Sequence, residues 1–504
     1  MKLAVIFSLI LSIVHSILFV GQEVGLSVFL FVVTGLIFFL TILEKQGKIK
    51  NKKALLLVVP ILLLSATYFI FNNMFFKIIN IFIILLLFLI MTIIATIGEL
   101  KPSKLIINIF DMLFGCVEET GNAAREISNG FSIKKKDKKE KNKNAVSRKI
   151  FKGIIISLPL LIVVLILLSV ADEMFASVFK NIFIALKDLI NFETIYKLWG
   201  RIILITLLTL YFLSFTLKIV HNSIRGNKES KAKIKIDGIT VSTVLTLLNI
   251  VYLIFAIIQV IHVIDFTKAG SALNYASYAR TGFFELLAVS IINFIIILIT
   301  KNNKKDVTTG TNRYIKTMNV FLALFTVVIL VTSIIRMQLY EEQYGYTFLR
   351  IMVYMTQITE LILIIPTLVY IVKDKFKVST WYLTIIVIMY LVVNFMNIDN
   401  IIAKENINRY FQGKGIKKDI DFSYLQKLST DAIPEIVKLL ETNDRELKVK
   451  VNNYLEQEYK DLKEKKVTLQ NFNISEIKAR KELEKLNLKY LTNSYDNYRN
   501  SRYF

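Results

Sequence analysis

The 504-residue sequence contains few of the residues on which most metal and enzyme sites depend. It has one cysteine, Cys116, and three histidines, His15, His221 and His262, which lie far apart along the chain. A single cysteine excludes an intramolecular disulfide, and the zinc-ligand spacings HExxH and CxxC do not occur. The patterns GxxxxGK, GxGxxG and GxSxG are also missing. The sequence therefore predicts no metal and no cofactor, and it offers no motif for ATP hydrolysis, dinucleotide binding or serine hydrolase chemistry.

Long apolar runs are what the sequence has in excess. Hydrophobic residues make up 54% of the chain, and the mean hydropathy is +0.55. A helix of about 20 apolar residues crosses the roughly 30 Å hydrocarbon layer and satisfies its own backbone polar groups. The predicted spans are 3–20, 25–43, 54–71, 78–97, 153–170, 202–220, 239–264, 283–300, 317–339, 348–372 and 379–398. The predicted fold class is an all-α, polytopic helical membrane protein of about eleven transmembrane helices with a small C-terminal helical soluble domain.

The first span resembles a secretory signal, because a lysine precedes an apolar stretch. It lacks a small-x-small cleavage site, so we interpret it as a retained span. The predicted organisation is four transmembrane helices in 1–97, a cytoplasmic amphipathic and polybasic loop in 98–152, a seven-helix transmembrane domain in 153–398, and a helical domain in 399–504.

Basic residues in the loops predict the orientation. Even-numbered loops carry 31 lysines and arginines and odd-numbered loops carry 8 when Arg350, at the start of the tenth span, is included, and basic loops remain on the cytoplasmic side. We therefore expect a multi-pass plasma membrane protein with its N-terminus inside and its C-terminal domain outside. The formal net charge of +24 is concentrated in the even loops, where it suits insertion and anionic lipid headgroups. The expected partners are the lipid bilayer and these headgroups, and no nucleic acid, because no recognition fold accompanies the charge.

Two loop segments allow alternative interpretations. The basic run 134–152 follows an amphipathic stretch at 105–131, and the pair is either a solvated cytoplasmic linker or a helix in the inner interface that binds acidic lipids. Residues 174–199 have apolar positions at helical spacing. They predict a helix on the outer surface, which either covers a cavity or fills a long loop.

Polar residues in or beside the later spans are the best functional clue, because a charge in hydrocarbon costs several kcal/mol unless it is paired or hydrated. Glu360 lies ten residues after Arg350 in the tenth span, about 15 Å along a helix axis, and Gln357 shares its face. Either Glu360 pairs with Arg336 as a structural lock, or these residues line an outward-facing pocket for an ion or small polar solute. The complete candidate set is Asp172, Glu173, His262, Asp265, Tyr275, Tyr278, Arg280, Glu285, Arg336, Arg350, Gln357 and Glu360.

The tail reads as short amphipathic helices. Asp431 is the predicted N-cap of a helix with Pro434 in its first turn. Apolar stripes run through Ile433, Ile436, Val437, Leu439 and Leu440, through Leu447, Val451 and Leu455, and through Ile477, Leu483, Leu486 and Leu491. We expect these helices to pack on one another or to cap the membrane domain.

Three segments resemble a bacterial family of multi-pass membrane proteins catalogued as a domain of unknown function. They read YASYARTGFFEL at 275–286, NIDNIIAKENINRYF at 397–411 and DFSYLQKLSTDAIPEIVKLL at 421–440. The resemblance extends from about the fourth span to about residue 440. It implies a membrane fold and no assigned activity.

Three classes of function remain open from the sequence. The first is a sensor or assembly scaffold that uses the external helical domain. The second is a carrier or channel for a small polar solute or ion, through the pocket near Glu360. The third is a membrane enzyme at the outer face, in which Asp172, Glu173, Asp265 or Glu285 acts as acid or base and Arg280 holds an anion.

Overall fold

The structure is a computed structural model. It describes residues 2–98, 108–113, 116–130, 193–221, 236–268, 283–302, 304–305, 307–373, 375–413 and 420–486. The predicted span 153–170, the basic run 134–152 and most of the predicted surface helix 174–199 lie outside these residues.

Helices form almost all of the described residues. They are α1 (Lys2–Phe19), α2 (Leu26–Lys45), α3 (Val58–Ile70), α4 (Met74–Ile97), α5 (Thr120–Gly130), α6 (Glu193–His221), α7 (Gly238–Lys268), α8 (Phe283–Asn302), α9 (Thr309–Tyr344), α10 (Phe348–Val372), α11 (Val378–Phe395), α12 (Ile398–Phe411), α13 (Phe422–Leu425), α14 (Ile433–Ile436), α15 (Arg445–Glu464) and α16 (Ile474–Glu484). Short 3-10 turns occupy Lys52–Leu57, Cys116–Glu119, Thr430–Ala432 and Val437–Glu441. A two-residue parallel pairing joins β1 (Ile236–Asp237) to β2 (Lys304–Lys305).

Nine helical segments in the described part of the chain are long and apolar enough to cross a membrane. They coincide with nine of the predicted spans. A tenth predicted span, 283–300, is α8, which contains the shorter apolar stretch Leu286–Lys301. The prediction of an all-α polytopic membrane protein is confirmed.

The chain forms two compact units. Unit 1 comprises residues 1–65, 82–228 and 469–472. Its core includes Phe39, Phe88 and Phe215, whose rings contact one another. Residues 469–472 lie against the start of α2, where the Ser27 amide donates to the Gln470 carbonyl at 3.1 Å. A Cβ on Gly25 would come within 2.7 Å of this backbone, so the approach requires glycine.

Unit 2 comprises residues 66–81, 229–468 and 473–504. Contacts between α7 and α9 advance in the same direction along both helices: Thr246 contacts Tyr314, and Asn249 contacts Met318. These two helices are therefore parallel. Contacts of α9 with α8 and with α10 run in opposite directions, so α8 and α10 are antiparallel to α9.

The C-terminal helices pack around one apolar core in unit 2. Most of the predicted stripe residues contribute to it, and Ile433, Ile436, Leu439, Val451, Leu455 and Leu483 are fully buried. Helix α12 follows α11 after a sharp bend at Asn397, whose φ is +51°. Ile407 on α12 lies in the same core, so α12 joins the last membrane helix directly to the tail.

Candidate functional site

Side-chain hydrogen bonds connect helices α7, α8, α9 and α10 inside unit 2. The Tyr252 hydroxyl donates to Asn293 Oδ1 at 2.7 Å, and Asn293 Nδ2 donates to Thr326 Oγ1 at 3.0 Å. Because Asn293 is fully buried, it forms a polar link between three apolar helices. We call the buried polar side chains of these four helices the polar seam.

Glu360 is the acidic member of the polar seam. It is the thirteenth residue of the 25-residue α10, so it lies near the middle of the span. Its side chain is only 5% exposed, and its Oε2 contacts the hydroxyl of the fully buried Ser290 on α8. Its Oε1 has no hydrogen-bond partner among the described residues. One carboxylate oxygen is therefore unsatisfied in an apolar surrounding.

The hydrogens at Ser290 restrict the form of Glu360. The Ser290 hydroxyl has one hydrogen but contacts two acceptors, the Leu287 carbonyl at 2.7 Å and Glu360 Oε2. Two arrangements account for both contacts: the serine hydrogen is shared between the two acceptors, or Ser290 donates to the Leu287 carbonyl and a protonated Glu360 donates to the serine oxygen. The second arrangement gives each contact its own hydrogen, so the geometry is compatible with the neutral carboxylic acid.

Gln357 lies one helical turn before Glu360, on the same face of α10. It is fully buried, and its Nε2 donates to the Ser333 hydroxyl on α9 at 2.7 Å. Its Oε1, like that of Glu360, is buried without a hydrogen-bond partner among the described residues. The Oε1 atoms of Gln357 and Glu360 are therefore two neighbouring buried acceptors without donors among the described residues. A proton or a small cation would supply the missing interaction.

Pro366 lies inside α10, six residues after Glu360. Proline has no backbone N–H, so the Ile362 carbonyl loses its usual helical donor. The helix thus has a weakened backbone one to two turns from the acidic side chain. The sequence prediction that Gln357 and Glu360 share a face agrees with the helix, and Ser290 and Ser333 are the partners that sequence reasoning missed.

Two of the three candidate arginines, Arg336 and Arg350, belong to the described residues. Arg350 donates to the carbonyls of Gly345 and Tyr344, and its guanidinium carbon lies 4.3 Å from the centre of the Tyr340 ring. It therefore closes the end of α9 as a structural residue. Arg336 is half-buried on α9. Among the described residues the hydrogen-bond partner of Glu360 is Ser290, and the Arg336–Glu360 lock stays a prediction.

The remaining candidates are not assembled into a site by the described residues. Asp172, Glu173, Tyr275, Tyr278 and Arg280 lie outside them. His262 and Asp265 belong to α7 and Glu285 to α8, but their side chains are likewise outside the description. The enzyme hypothesis depends on these residues and stays a prediction.

Sequence reasoning missed a second polar cluster, at the turn between α3 and α4. Asn473 is 2% exposed, and its Nδ2 donates to the carbonyls of Tyr68 at 3.0 Å and Phe71 at 2.9 Å. Its Oδ1 accepts the Glu476 amide at 3.2 Å, as the N-cap of α16. One asparagine therefore satisfies the end of a membrane helix and the start of a tail helix. We call the contacts between the α3–α4 turn and the tail the docking cluster.

Asp431 also belongs to the docking cluster. Its Oδ2 accepts the Asn72 amide at 2.7 Å and the Ser429 hydroxyl at 3.0 Å. The prediction that Asp431 is an N-cap is wrong: the cap of the 3-10 turn is Ser429, and α14 begins after Ala432 without a side-chain cap. The carboxylate binds the membrane-helix turn instead. Burial raises the pKa of Asp431, and these hydrogen bonds oppose the rise.

A neighbouring acid completes the docking cluster. Asp399 accepts Asn73 Nδ2 at 2.9 Å through one oxygen and the Ser429 amide at 3.0 Å through the other. The turn between α9 and α10 docks in the same manner, because Asn406 Oδ1 accepts the Tyr346 amide and Asn406 Nδ2 donates to the Tyr346 carbonyl, both at 2.8 Å. The one sequence signal for these contacts is the high number of asparagines at the ends of apolar runs.

Comparison with known proteins gives one result. No curated protein and no solved structure matches the chain. A family model described as a domain of unknown function, DUF4153, matches residues 58–439. This range includes the polar seam and most of the docking cluster. Because the match covers well over half of the chain, the protein belongs to this family, a domain of unknown function (DUF4153) built as a polytopic helical membrane protein.

Proposed function

We propose that unit 2 is a carrier for a small polar solute or ion, and that protonation of Glu360 drives its transport step. The observation that supports this is the buried Glu360 carboxyl, which contacts Ser290 through one oxygen and has no partner among the described residues for the other. An acid at the middle of a span costs about 2.5–3.5 kcal/mol on insertion scales. A neutral serine or asparagine could link the two helices without this cost, so a purely structural role does not explain a glutamate here.

The Ser290 hydroxyl would act as a two-position switch. With Glu360 protonated, Ser290 donates to the Leu287 carbonyl, 2.7 Å away. Once Glu360 loses its proton, the serine must turn its hydrogen toward the carboxylate and abandon that carbonyl. Ionisation therefore changes a hydrogen bond within α8, and the weakened backbone of α10 near Pro366 can respond.

Transport into proteoliposomes tests the proposal. Purified protein is reconstituted with a pH-sensitive dye inside, a potassium-valinomycin potential is applied, and panels of ions and polar solutes are screened for proton-coupled flux. Glu360→Gln keeps the shape of the side chain and removes the titrating proton, so we expect it to abolish coupled flux. The matched control is Glu342→Gln, an exposed acid at the end of the neighbouring helix α9.

Two outcomes would count against the carrier. Flux through Glu360→Gln equal to that of the unmodified protein would mean that Glu360 has only a structural role. Loss of flux in Glu342→Gln as well would indicate general damage rather than a titrating site. Ser290→Ala gives a graded check, because it removes the switch but leaves the acid, and we expect slowed rather than absent flux.

A second candidate function, an assembly scaffold or sensor, is favoured by the docking cluster. Asn473, Asp431 and Asn406 fix the tail to two turns between membrane helices through the contacts given above. A domain held in this way has a defined orientation, as a docking platform requires. Both turns belong to charge-poor odd loops, and we propose that they and the tail face outward, with the N-terminus inside, in the plasma membrane.

Pull-down of the full chain tests the scaffold. Cross-linked membranes containing wild-type protein or Asn473→Ala are solubilised and compared for co-purifying proteins. We expect a partner that is lost when the tail undocks and that is retained by Glu360→Gln. A single-species preparation from wild-type membranes would argue against a scaffold, and it would leave the carrier unaffected.

A further inference from the structure

An open groove of about 520 Å³ lies between the first turns of α7 and α9. Its size is that of a small-molecule site. Ser242, Thr243 and Thr246 line it from α7, and Thr311 and Tyr314 line it from α9. Both helices begin at this end, next to loops of the basic, even-numbered set, which we expect at the level of the cytoplasmic lipid headgroups.

The three hydroxyls of α7 in the groove present acceptors rather than donors. Ser242 donates to the Gly238 carbonyl at 2.8 Å, Thr243 to the Ile239 carbonyl at 3.0 Å, and Thr246 to the Ser242 carbonyl at 2.8 Å. Because the Thr246 hydrogen is used, Tyr314 must be the donor in the 2.6 Å contact between their oxygens. The three α7 hydroxyls therefore keep only lone pairs for a ligand. Such a surface suits a ligand group rich in N–H or O–H.

Charges of both signs flank the groove. Asp237 is exposed and accepts the Ile239 and Thr240 amides, so its carboxylate lies at the start of α7 and offsets the positive end of that helix. Arg313 is exposed on α9 and directly precedes Tyr314, and neither charged residue itself lines the groove. An acceptor-lined groove with a carboxylate near the start of one helix and an arginine near the start of the other suits a zwitterion.

Apolar side chains extend the groove along the span. Ile239 is 73% exposed and Leu247 is 60% exposed, and both line it. In a helix that crosses a membrane, these side chains contact lipid chains. A ligand that joins a zwitterionic polar group to an acyl chain would satisfy the whole surface.

We propose that this groove binds a phospholipid with a primary-ammonium headgroup, of the phosphatidylethanolamine type. The ammonium donates to the Ser242 and Thr243 oxygens with Asp237 as its counter-charge, the phosphate pairs with Arg313, and an acyl chain follows Leu247 toward the membrane interior. Phosphatidylcholine has the same charges but no N–H donor, so the hydroxyls would discriminate against it. This site is independent of Glu360 and of the docking cluster.

A methylation series tests the proposal. The full-length protein in detergent is titrated with phosphatidylethanolamine, its N-methyl and N,N-dimethyl derivatives, phosphatidylcholine and phosphatidylglycerol, all with identical acyl chains. Native mass spectrometry measures the bound fraction. Each methyl removes one donor, so we expect affinity to fall stepwise, by about tenfold or more over the series. Phosphatidylglycerol reports whether negative charge alone suffices.

A paired variant assigns the preference to the groove. Ser242→Ala combined with Thr243→Val removes two acceptor oxygens and leaves the apolar surface, so phosphatidylethanolamine and phosphatidylcholine should then bind about equally. The control is Thr384→Val on α11, where the hydroxyl is also exposed and donates to a helix carbonyl, that of Thr380, at 2.9 Å. This control should keep the wild-type preference.

Three results would overturn the proposal. The first is equal binding of the ethanolamine and choline lipids by the wild-type protein. This test does not depend on the folding of any variant. The second is the strongest binding by phosphatidylglycerol, which would point to a simple anionic-lipid surface. The third is an unchanged preference in the paired variant, which would place the discriminating site elsewhere on the protein.

Discussion

Replacement of Asn473 by alanine should release the tail from the membrane helices. The change removes two hydrogen bonds, to the Tyr68 and Phe71 carbonyls, and the N-cap of α16. Each hydrogen bond contributes about 1 kcal/mol, and loss of an N-cap costs about 1 kcal/mol. The free energy of opening the docked state should therefore fall by about 3 kcal/mol, which raises the open population roughly 100-fold.

Hydrogen exchange measured by mass spectrometry reads this population directly. Peptides from α16 and from the α3–α4 turn should lose protection together in Asn473→Ala, because the same side chain holds both. Asn473→Ser keeps a capping oxygen but its short side chain cannot donate to both carbonyls, so we expect an intermediate loss of about 2 kcal/mol. Asn453→Ala, an exposed asparagine on α15, is the control and should change protection by less than about 0.5 kcal/mol.

The reasoning fails if protection of α16 falls while that of the α3–α4 turn does not. That pattern would mean that the asparagine acts only as a helix cap. Unchanged protection in both peptides would mean that other contacts of the docking cluster carry the stability.

Three further predictions test the contacts of the tail and the orientation of the chain. Gly345→Ala should lower the unfolding temperature measured in detergent, because φ is +75° and the new Cβ would overlap Asn406 Oδ1. Asp431→Asn should flatten the pH dependence of docking: the docked state has the raised pKa, so it binds more protons, and stability falls as pH rises from about 3.8 through the docked pKa. In a Cys116→Ser background, Lys438→Cys should react with an impermeant maleimide on intact cells, whereas Lys52→Cys should react only after permeabilisation.

Each of these has its own control and its own contradicting result. Gly310→Ala introduces a Cβ with no neighbour closer than 4.0 Å, and equal melting of the two glycine variants would remove the argument from close contact. A pH profile that persists in Asp431→Asn would assign the dependence to other titrating groups. Labelling of the Lys52→Cys protein on intact cells, without labelling of Lys438→Cys, would invert the proposed orientation.

The apolar runs predicted the membrane helices well because lipid imposes length and composition on any spanning helix. Ten predicted spans have helices in the described residues. The apolar stripes of the tail likewise predicted its core, since burial follows helical periodicity. Membrane helices and apolar stripes depend on residues within one or two helical turns of each other, so a single sequence is enough to predict them.

The polar contacts were predictable only in part. Glu360 stood out because an acid in a span is costly, but its serine partner on α8 lies 70 positions away and carries no local signal. Asp431 looked like an N-cap because its neighbours fit that pattern, yet a turn 359 residues distant uses its carboxylate. The hydrogen-bond partners of short polar side chains depend on which residues the tertiary fold brings close, and spacing along the chain does not predict this.

The bond between Asn473 and the Tyr68 carbonyl has a consequence for biogenesis, because 405 positions separate the two residues. At about 5–20 residues per second, a ribosome needs roughly 20–80 s to make the intervening polypeptide. During that interval the carbonyls at the end of α3 must be hydrated or temporarily covered by another molecule. The helices α3 and α4 are therefore made well before Asn473 can bind the turn between them. In that interval the turn of the nascent chain should be accessible to chaperones.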